Sequence, residues 1–321
     1  MSGRYLVRRL LQVVPTVTGI LVVTFLITRV TAGDPAVTFA GEGADQTQID
    51  AARSYLGLNR PLIQQFLSYA GRTLHGDLGV SYVQRQPVTT LIGARLGPTV
   101  LLTGTALVVS TTVGLLLGVL TARRPGGVVG AGLNTVALIG YSLPSFWIAQ
   151  IAVLELALRV HLLPAVGIDD IGAHYSGWAA VLDTGRHLIL PALVLSLSEV
   201  ALLMRVTRSA LIVESGQDYV RAARAKGLSE EEALSRHALA NAMLPVMTII
   251  GSRIGFLFSG AVLVESVFAW PGLGMLLTDA AQAGDQPVIL GMVLLIASAV
   301  VVTNLATDLL YGWVDPRIGH G

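Results

Sequence analysis

Two charged side chains stand inside otherwise apolar stretches of the sequence. Glu199 interrupts the run 188–204, and Arg253 interrupts the run 238–264. A charged group that faces lipid near the middle of a bilayer costs roughly 2.5–3.5 kcal/mol on the lower insertion scales. We therefore expect both side chains to face the protein interior or a wet cavity. There they can line a path for a zwitterionic solute, or form a structural ion pair that only fixes the packing of two helices.

The loop 208–240 carries a second pattern, which is built from helix-capping residues. Asp218 is a favourable N-cap for a short helix, and Gly227 stands where a left-handed residue would end that helix. Ser229 and Glu232 form the S-x-x-E capping box of the next helix. The pattern predicts a helix, a glycine corner and a second helix.

Ala222 and Ala223 give the first of these helices a small-residue face. Such a face lets another protein approach the helix backbone closely, and Arg224 and Lys226 suit the negative end of the helix. The alternative is a solvated loop that is basic only because it lies on the cytoplasmic side. A simple run of charges would not need two caps, a stop glycine and a small face in sequence.

The sequence carries no recognisable catalytic centre. It lacks cysteine, which excludes disulfides, thiolate metal sites and a cysteine nucleophile. Its only lysine, Lys226, follows alanine, and no G-x-x-x-x-G-K-[ST] pattern is present to cradle a triphosphate. Scattered side chains such as Ser142 and His187 form no recognisable pair of nucleophile and base. We expect a chain that is not an enzyme.

One polar stretch contains imidazole and carboxylate groups that suit a transition metal such as nickel. These residues are His161, Asp169, Asp170, His174 and His187. Their spacing along the chain matches no compact site, and loops at a membrane interface are polar for other reasons. The sequence alone therefore predicts no metal site.

The elements that position these residues are predicted to be membrane helices. Of the 321 residues, 53% are hydrophobic and 13% are charged, whereas about a quarter of the residues in a soluble domain are charged. The net charge of +1 indicates no nucleic-acid partner, which would need a clustered basic face. Charge-poor stretches of about 20 residues are long enough to cross the hydrocarbon core. The six predicted spans are 10–29, 98–122, 131–157, 188–207, 241–264 and 287–310.

The distribution of arginine and lysine sets the orientation of these spans. Basic residues gather at the N-terminus, at 123–124, in the loop 208–240 and in the tail 311–321, whereas the short loops on the other side hold few. Both termini are therefore predicted to be cytoplasmic, in a multi-pass protein of the inner (plasma) membrane. The first apolar run exceeds the length of a signal-peptide core, so it is predicted to be a retained helix.

The segment between the first two spans is predicted to fold outside the membrane. Thr47 can cap a short helix, and Pro61 is well placed in the first turn of a second helix. The second helix has an apolar face that would pack on the membrane domain or bind a partner. This face comprises Leu62, Ile63, Phe66, Leu67 and Tyr69. The chain thus divides into residues 1–97, a membrane core 98–310 and a tail 311–321.

The loop 208–240 resembles the conserved cytoplasmic loop of permeases in binding-protein-dependent ABC importers. That family's loop begins E-A-A-x-x-x-G, and Arg221-Ala222-Ala223 with Gly227 occupy these places, although the initial acid is missing. A Leu244-Pro245 pair lies five residues later than the I-x-L-P of the family. Both departures are similar to the branch that imports dipeptides, oligopeptides and nickel, whose loops read R-x-A-x-A-K-G-L and later N-A-x-L-P. Further matches are Gly33-Asp34-Pro35, His75-Gly76-Asp77-Leu78-Gly79, Ser142-Leu143-Pro144-Ser145-Phe146, Phe268-Ala269-Trp270-Pro271-Gly272 and Asp315-Pro316-Arg317.

The resemblance implies an all-α, type I ABC importer permease, similar to the first, B-type, permease of a dipeptide or oligopeptide system. It implies a second homologous permease, two ATPase subunits and an extracytoplasmic solute-binding protein that delivers the cargo. ATP and Mg²⁺ would bind to the ATPase subunits, and this chain would carry no cofactor. Nickel or a metal chelate remains an alternative cargo. A secondary transporter is disfavoured because no internal repeat is visible.

The resemblance also assigns roles to residues of this sequence. In that family a short helix of the loop docks into a groove of the ATPase subunit. The residues assigned to this coupling contact are Tyr219, Arg221, Ala222, Ala223, Lys226 and Gly227. The resemblance assigns no role to Glu199 and Arg253; from their place inside apolar runs we expect them to line the translocation pathway at the interface with the second permease, or to form a structural ion pair.

Overall fold

The computed structural model describes residues 3–31, 34–41, 43–123, 126–173 and 175–314. These residues form α-helices, two short π-helical segments and an isolated bridge between Val80 and Pro87. The helices are α1 (Gly3–Thr31), α2 (Pro35–Ala40), α3 (Gln46–Tyr55), α4 (Leu62–Leu74), α5 (Val88–Arg123), α6 (Val128–Ser142), α7 (Ser145–Ala152), α8 (Trp178–Ser215), α9 (Asp218–Ala225), α10 (Glu230–Ala233), α11 (Leu239–Val267), α12 (Leu273–Ala283) and α13 (Gln286–Val314). The π-helical segments are Val153–Arg159 and Leu234–Ala238.

Within the described residues, three helices are long and apolar enough to cross a membrane. They are α5, α8 and the part of α13 from Gln286 to Thr303. A bent pair, Gly130–Ser142 with Ser145–Arg159, adds a fourth crossing if it forms one span, and α1 contains the shorter apolar stretch Val14–Leu26. Five of the predicted spans lie within single helices, α1, α5, α8, α11 and α13, whereas the span 131–157 includes a break between α6 and α7.

The predicted span 131–157 is wrong as one continuous helix. The chain bends by 101° between α6 and α7. Leu143 has extended backbone angles, φ −84° and ψ 137°, because the residue before a proline is disfavoured in the helical region. Pro144 is the N-cap residue of α7. Its missing N–H costs nothing there, because the N–H groups at the start of a helix have no partner within the helix. The Ser-Leu-Pro-Ser sequence thus breaks the helix where hydropathy alone predicted continuity.

The predicted cap of the first outer helix is displaced by two residues. Asp45, and not Thr47, is the N-cap of α3. Its carboxylate accepts a hydrogen bond from Gln48 N at 2.8 Å, and the Gln48 side chain accepts one from Asp45 N at 3.0 Å. This reciprocal capping box satisfies two N–H groups, whereas a threonine at position 47 would satisfy one. Pro61 is the N-cap residue of α4, next to its predicted place in the first turn.

The apolar face of α4 is divided between a packed half and an exposed half. The Phe66 ring lies 5.5 Å from the Phe25 ring of α1, centroid to centroid, and the Tyr69 ring lies 5.9 Å from it. Leu62, which lies on the same face one turn earlier, and Ile63 are exposed. The aromatic half of the predicted face therefore packs on the first membrane helix, as one of the two sequence interpretations expected.

The chain divides into two compact units, of which the first combines residues 1–99 with residues 271–321. In this unit α1 packs on α13, and α12 packs on α13. The buried carboxylate of Asp285 holds the turn that precedes α5: it accepts hydrogen bonds from Ser81 Oγ at 2.5 Å and from Tyr82 N at 3.0 Å. A buried carboxylate satisfied by several donors fixes this turn to the start of α13.

The second unit comprises Val100–Trp270. Its long helix α8 packs against α6, α7 and α11, and its core contains the buried side chains of Leu190, Phe268 and Trp270. The part of α5 that belongs to this unit packs closely on α8 at Gly118. A Cβ atom at Gly118 would lie 2.5 Å from Thr207 Cβ, which is closer than two carbon atoms can pack. Small residues that allow such close backbone approach are a general device of helix packing in membranes.

We predict that Gly118→Ala destabilises the protein, because the added methyl group overlaps Thr207 and the α5–α8 contact must open. Overpacking of this kind costs about 1–3 kcal/mol. Gly104→Ala in the same helix is the matched control, since a Cβ there meets no atom within 4 Å. Thermal unfolding of the detergent-purified protein measures both. Equal melting temperatures for the two variants would contradict the close α5–α8 contact.

Candidate functional site

The short helix α9 rests on the ends of three longer helices through one apolar side chain. Val220 is fully buried in a cluster that contains Ala122 of α5, Leu211 of α8 and Ala242 of α11. Ala233 of α10 completes the contact. Because burial of a valine contributes about 1.5–3 kcal/mol, this cluster fixes the position of α9 more strongly than exposed polar contacts can.

The start of α9 differs from the sequence prediction by one position. Gln217 is the N-cap residue, and Asp218 is the first helical residue. The Asp218 carboxylate therefore does not cap the helix; it lies in the first turn, 3.4 Å from Arg221 Nη1. A carboxylate in the first turn is stabilised by the partial positive charge of the helix N-terminus, which explains why aspartate suits either position.

The glycine corner and the second cap agree with the prediction. Gly227 has φ +96°, a left-handed conformation that follows the C-cap residue Lys226. Ser229 Oγ accepts a hydrogen bond from Glu232 N, and the Glu232 carboxylate accepts one from Ser229 N at 3.1 Å. The hydrogen bond from the Ser229 hydroxyl, followed by that from its backbone N–H, lowers the pKa of Glu232. The chain therefore turns sharply between α9 and α10.

Exposed ion pairs connect α9 and α10 to each other and to the membrane helices. Arg224 lies 3.3 Å from Glu230, and Arg123 at the end of α5 lies 2.9 Å from Glu231. Exposed pairs of this kind contribute about 0–1 kcal/mol each. They therefore orient the loop but do not hold it in place.

Tyr219 connects the two helices that flank the loop. Its hydroxyl donates a hydrogen bond to the Glu214 carboxylate near the end of α8 and accepts one from Asn241 Nδ2 of α11 at 2.9 Å. Burial raises the pKa of Tyr219, and the hydrogen bond to Glu214 raises it further, so the hydroxyl keeps its proton near neutral pH. Sequence reasoning selected Tyr219 but missed both partners: Asn241 is 22 positions away, and Glu214, five positions away, lies across the turn between α8 and α9.

The small-residue face of α9 is only half exposed. Ala222 is open to solvent together with Arg221 and Lys226, whereas Ala223 is 8% exposed and faces the chain's own helices. Of the two alanines of the predicted small-residue face, only Ala222 is therefore exposed in this chain. Adjacent residues of a helix point about 100° apart, so they cannot share one narrow face.

Glu199 and Arg253 form the ion pair that the sequence suggested. Arg253 Nε on α11 lies 3.6 Å from Glu199 Oε2 on α8. The Glu199 side chain is 13% exposed and that of Arg253 is 22% exposed, and Glu199 Oε2 accepts no hydrogen bond within the described part of the chain. Both charges face protein and not open surface. The contact is electrostatic and is not a hydrogen bond, because 3.6 Å exceeds hydrogen-bond distance.

The polar stretch that suggested a metal is partly assembled by the fold. Asp170 of the loop 160–177 and His187 of α8 come together with Asp183, which sequence reasoning did not select. His161 and Asp169 lie outside this group, and His174 lies outside the described residues. Asp183 and His187 are four residues apart, so they are neighbours on one face of α8. This i,i+4 spacing could have been recognised from the sequence if residues 178–187 had been predicted to be helical.

The fold and the loop together define a membrane transport subunit, and comparison with known families agrees. Residues 114–320 match the family described as binding-protein-dependent transport system inner membrane component, and residues 2–103 match the N-terminal region of such membrane components. The chain therefore belongs to this family. The predicted resemblance and the all-helical fold of an ABC importer permease are confirmed.

Relatives from several bacteria align with almost the whole chain. The dipeptide transport system permease protein DppB of Escherichia coli K12 is 39% identical over 99% of both chains. The oligopeptide transport system permease protein AppB of Bacillus subtilis is 38% identical over 98% of this chain and 99% of its own. A solved structure of the MetNI methionine ABC transporter in an inward-facing conformation resembles this fold with a TM-score of 0.53 and 16% identity. It covers 71% of this chain and 97% of the compared chain.

We predict that Gly227→Ala lowers transport severalfold while the protein still inserts and folds. A Cβ at φ +96° is strained by roughly 1–2 kcal/mol, although no neighbouring atom lies within 4 Å of it, so the strain redirects the corner after α9. Gly216→Ala is the matched control at the other end of α9, since Gly216 has φ −83°. Uptake of labelled substrate by proteoliposomes of the complete transporter measures the effect. Equal uptake by the two variants would show that the corner is not needed.

Proposed function

We propose that this chain is the permease subunit of an ATP-driven importer that moves peptides delivered by an extracytoplasmic binding protein. With a second homologous permease it forms the translocation pathway, and two ATPase subunits supply the energy. The observation that carries the proposal is the construction of α9: an exposed helix, with Ala222 on its outer side, is fixed to the ends of α5, α8 and α11 by Val220. A docking helix needs both properties: an exposed side that a partner can contact, and a firm attachment to the membrane helices.

The proposal includes six membrane spans with both termini in the cytoplasm of an inner-membrane protein. The basic residues of the N-terminus, of 123–124 and of the loop 208–240 then all lie on the cytoplasmic side, in accordance with the positive-inside rule. The outer segment with α2, α3 and α4, and the loop 160–177, lie on the other side. The tail 315–321 carries the Asp315-Pro316-Arg317 motif and lies outside the described residues.

ATP drives transport through the position of α9. Closure of the ATPase subunits around ATP and Mg²⁺ moves the docked helix as a rigid body. Since α9 is anchored to α8 and α11 through the Val220 cluster and the Tyr219 hydroxyl, its displacement is transmitted to the two helices that carry Glu199 and Arg253. The translocation pathway that we assign to this pair then alternates between outward-facing and inward-facing states.

Two observations support peptides as the cargo. Relatives aligned over nearly the full chain are named for dipeptides, for oligopeptides and, in Pseudomonas aeruginosa, for di- and tripeptides. In addition, Glu199 and Arg253 present opposite charges 3.6 Å apart. A peptide zwitterion carries an ammonium and a carboxylate, which need partners of opposite charge, whereas a bare cation would gain nothing from arginine.

We predict that Ala222→Asp weakens ATPase binding, because the carboxylate adds bulk and charge to the exposed side of α9. Ala51→Asp is the matched control, since Ala51 is an exposed alanine of the outer helix α3. Co-purification of the ATPase subunits with a tagged permease measures assembly, and uptake measures coupling. Loss of ATPase from the Ala222 variant alone is the expected result. Normal assembly and uptake by both variants would place the docking surface elsewhere.

A second prediction concerns the charge pair. Glu199→Gln combined with Arg253→Gln should preserve assembly and reduce uptake of zwitterionic dipeptide more than uptake of N-acetylated, C-amidated dipeptide. The exchange variant Glu199→Arg with Arg253→Glu is the control for packing, because it restores an ion pair with reversed polarity. If the neutral double variant takes up dipeptide at the parental rate, the pair does not contribute to the translocation pathway. The pair would instead have a structural role if Glu199→Gln and Arg253→Gln each failed to assemble, and if the exchange variant assembled with unchanged selectivity.

A further inference from the structure

The group of Asp170, Asp183 and His187 has the composition and separation of a metal site. One ligand atom from each residue lies within 4.8 Å of the ligand atoms of the other two. His187 Nε2 lies 3.7 Å from Asp170 Oδ1, whereas the Asp183 carboxylate lies near the other ring nitrogen, with Asp183 Oδ1 3.6 Å from His187 Nδ1. Bonds of about 2.0–2.2 Å to a common ion place neighbouring ligands roughly 3–3.5 Å apart. Since the ligand atoms lie up to 4.8 Å apart, binding requires the Asp170 side chain, which is 49% exposed, to rotate toward the ion.

The imidazole is oriented as a metal ligand would be. His187 Nδ1 lies 3.0 Å from the backbone carbonyl oxygen of Asp183, one helical turn earlier on α8, so this nitrogen carries the hydrogen and donates it. The other ring nitrogen, Nε2, then presents its lone pair to the Asp170 carboxylate, which is itself an acceptor. Two acceptors that face each other are stabilised by a cation or a water molecule between them, and the second carboxylate, of Asp183, favours the cation. Donation of the second ring N–H to a carbonyl group is the usual support of a metal-binding histidine.

The charges of the group are not balanced by arginine or lysine. Asp183 is 6% exposed and the His187 side chain is 3% exposed, and within the part of the chain that the structure describes His187 is the partner of both carboxylates in an ion pair. A buried carboxylate needs a positive partner. A protonated imidazole would leave the group with a net charge of −1. A divalent cation with a neutral imidazole gives a net charge of zero.

We propose that Asp170, Asp183 and His187 bind one divalent transition-metal ion. One imidazole nitrogen and two carboxylate oxygens select an ion such as Zn²⁺ over Mg²⁺ or Ca²⁺, which prefer all-oxygen sites. Spacing along the chain predicted no metal site, because Asp170 and His187 are separated in sequence. The fold brings Asp170 of the loop 160–177 back onto α8. It is independent of the transported cargo, and it requires neither ATP nor a binding protein.

The ion would tie the loop 160–177 to the first part of α8. The loop is already anchored by Gly167 N, which donates a hydrogen bond to Phe268 O at 2.9 Å, and by Asp170 N, which donates one to Asp183 Oδ2 at 2.9 Å. A metal adds a third tie that links the Asp170 side chain to the buried face of α8. We therefore expect the ion to stabilise the folded protein, because ligands that bind only the native state raise its stability.

The test uses the full-length chain, treated with EDTA and carrying an affinity tag without histidine, with Zn²⁺ as the probe. Isothermal titration calorimetry should give one high-affinity Zn²⁺ per chain, and Zn²⁺ should raise the melting temperature. Asp170→Asn removes one ligand charge with little change of shape, and it should weaken binding at least tenfold. Asp169→Asn is the matched control on the neighbouring exposed residue, and it should bind as the parent does.

A second variant protects the test against a folding defect. Asp183→Asn should also lose high-affinity Zn²⁺, and the melting temperatures of both variants without metal show whether they are folded. Two results would overturn the proposal. Zinc binding by Asp170→Asn at parental affinity would mean that the ion binds elsewhere. Absence of high-affinity binding by the parent would mean that Asp170, Asp183 and His187 hold no metal ion.

Discussion

The burial of Val220 among the ends of α5, α8 and α11 is the contact on which the functional loop depends. A helix of eight residues is too short to be stable by itself, so α9 exists because an apolar side chain anchors it. The polar contacts around it, from Tyr219 to Glu214 and from Arg123 to Glu231, set its orientation. This division explains how a helix can be rigidly attached to the membrane helices and still leave one side open to a partner.

Helix α8 connects all the polar sites of the second compact unit. It has 38 residues and carries Asp183 and His187 near its start, Glu199 near its middle and Glu214 near its end. Under the proposed function, a displacement applied at the end that contacts α9 would act on the same helix that carries Glu199. Pro191 lies inside the helix without ending it. The proline lacks an N–H and so removes one hydrogen bond of the helix, which nevertheless continues to Ser215.

Local signals in the sequence predicted well those features that depend on neighbouring residues. The glycine corner at Gly227 and the capping box of Ser229 and Glu232 need only a few consecutive residues, and both are present. Features that depend on three-dimensional packing were harder to predict from the sequence. The inward orientation of Ala223 depends on helices distant in sequence, and the break at Pro144 was hidden because an apolar composition fits one long helix or two shorter ones equally well.

The central claim is that the outer side of α9 contacts the ATPase subunit during transport. A photoreactive amino acid at position 222, in the complete transporter in lipid nanodiscs, tests it most directly, with the same probe at position 51 as the reference. The account predicts that the probe at 222 cross-links to the ATPase subunit, and that the probe at 51 does not. Cross-linking of position 222 to lipid or to the second permease alone, with none to the ATPase, would contradict it.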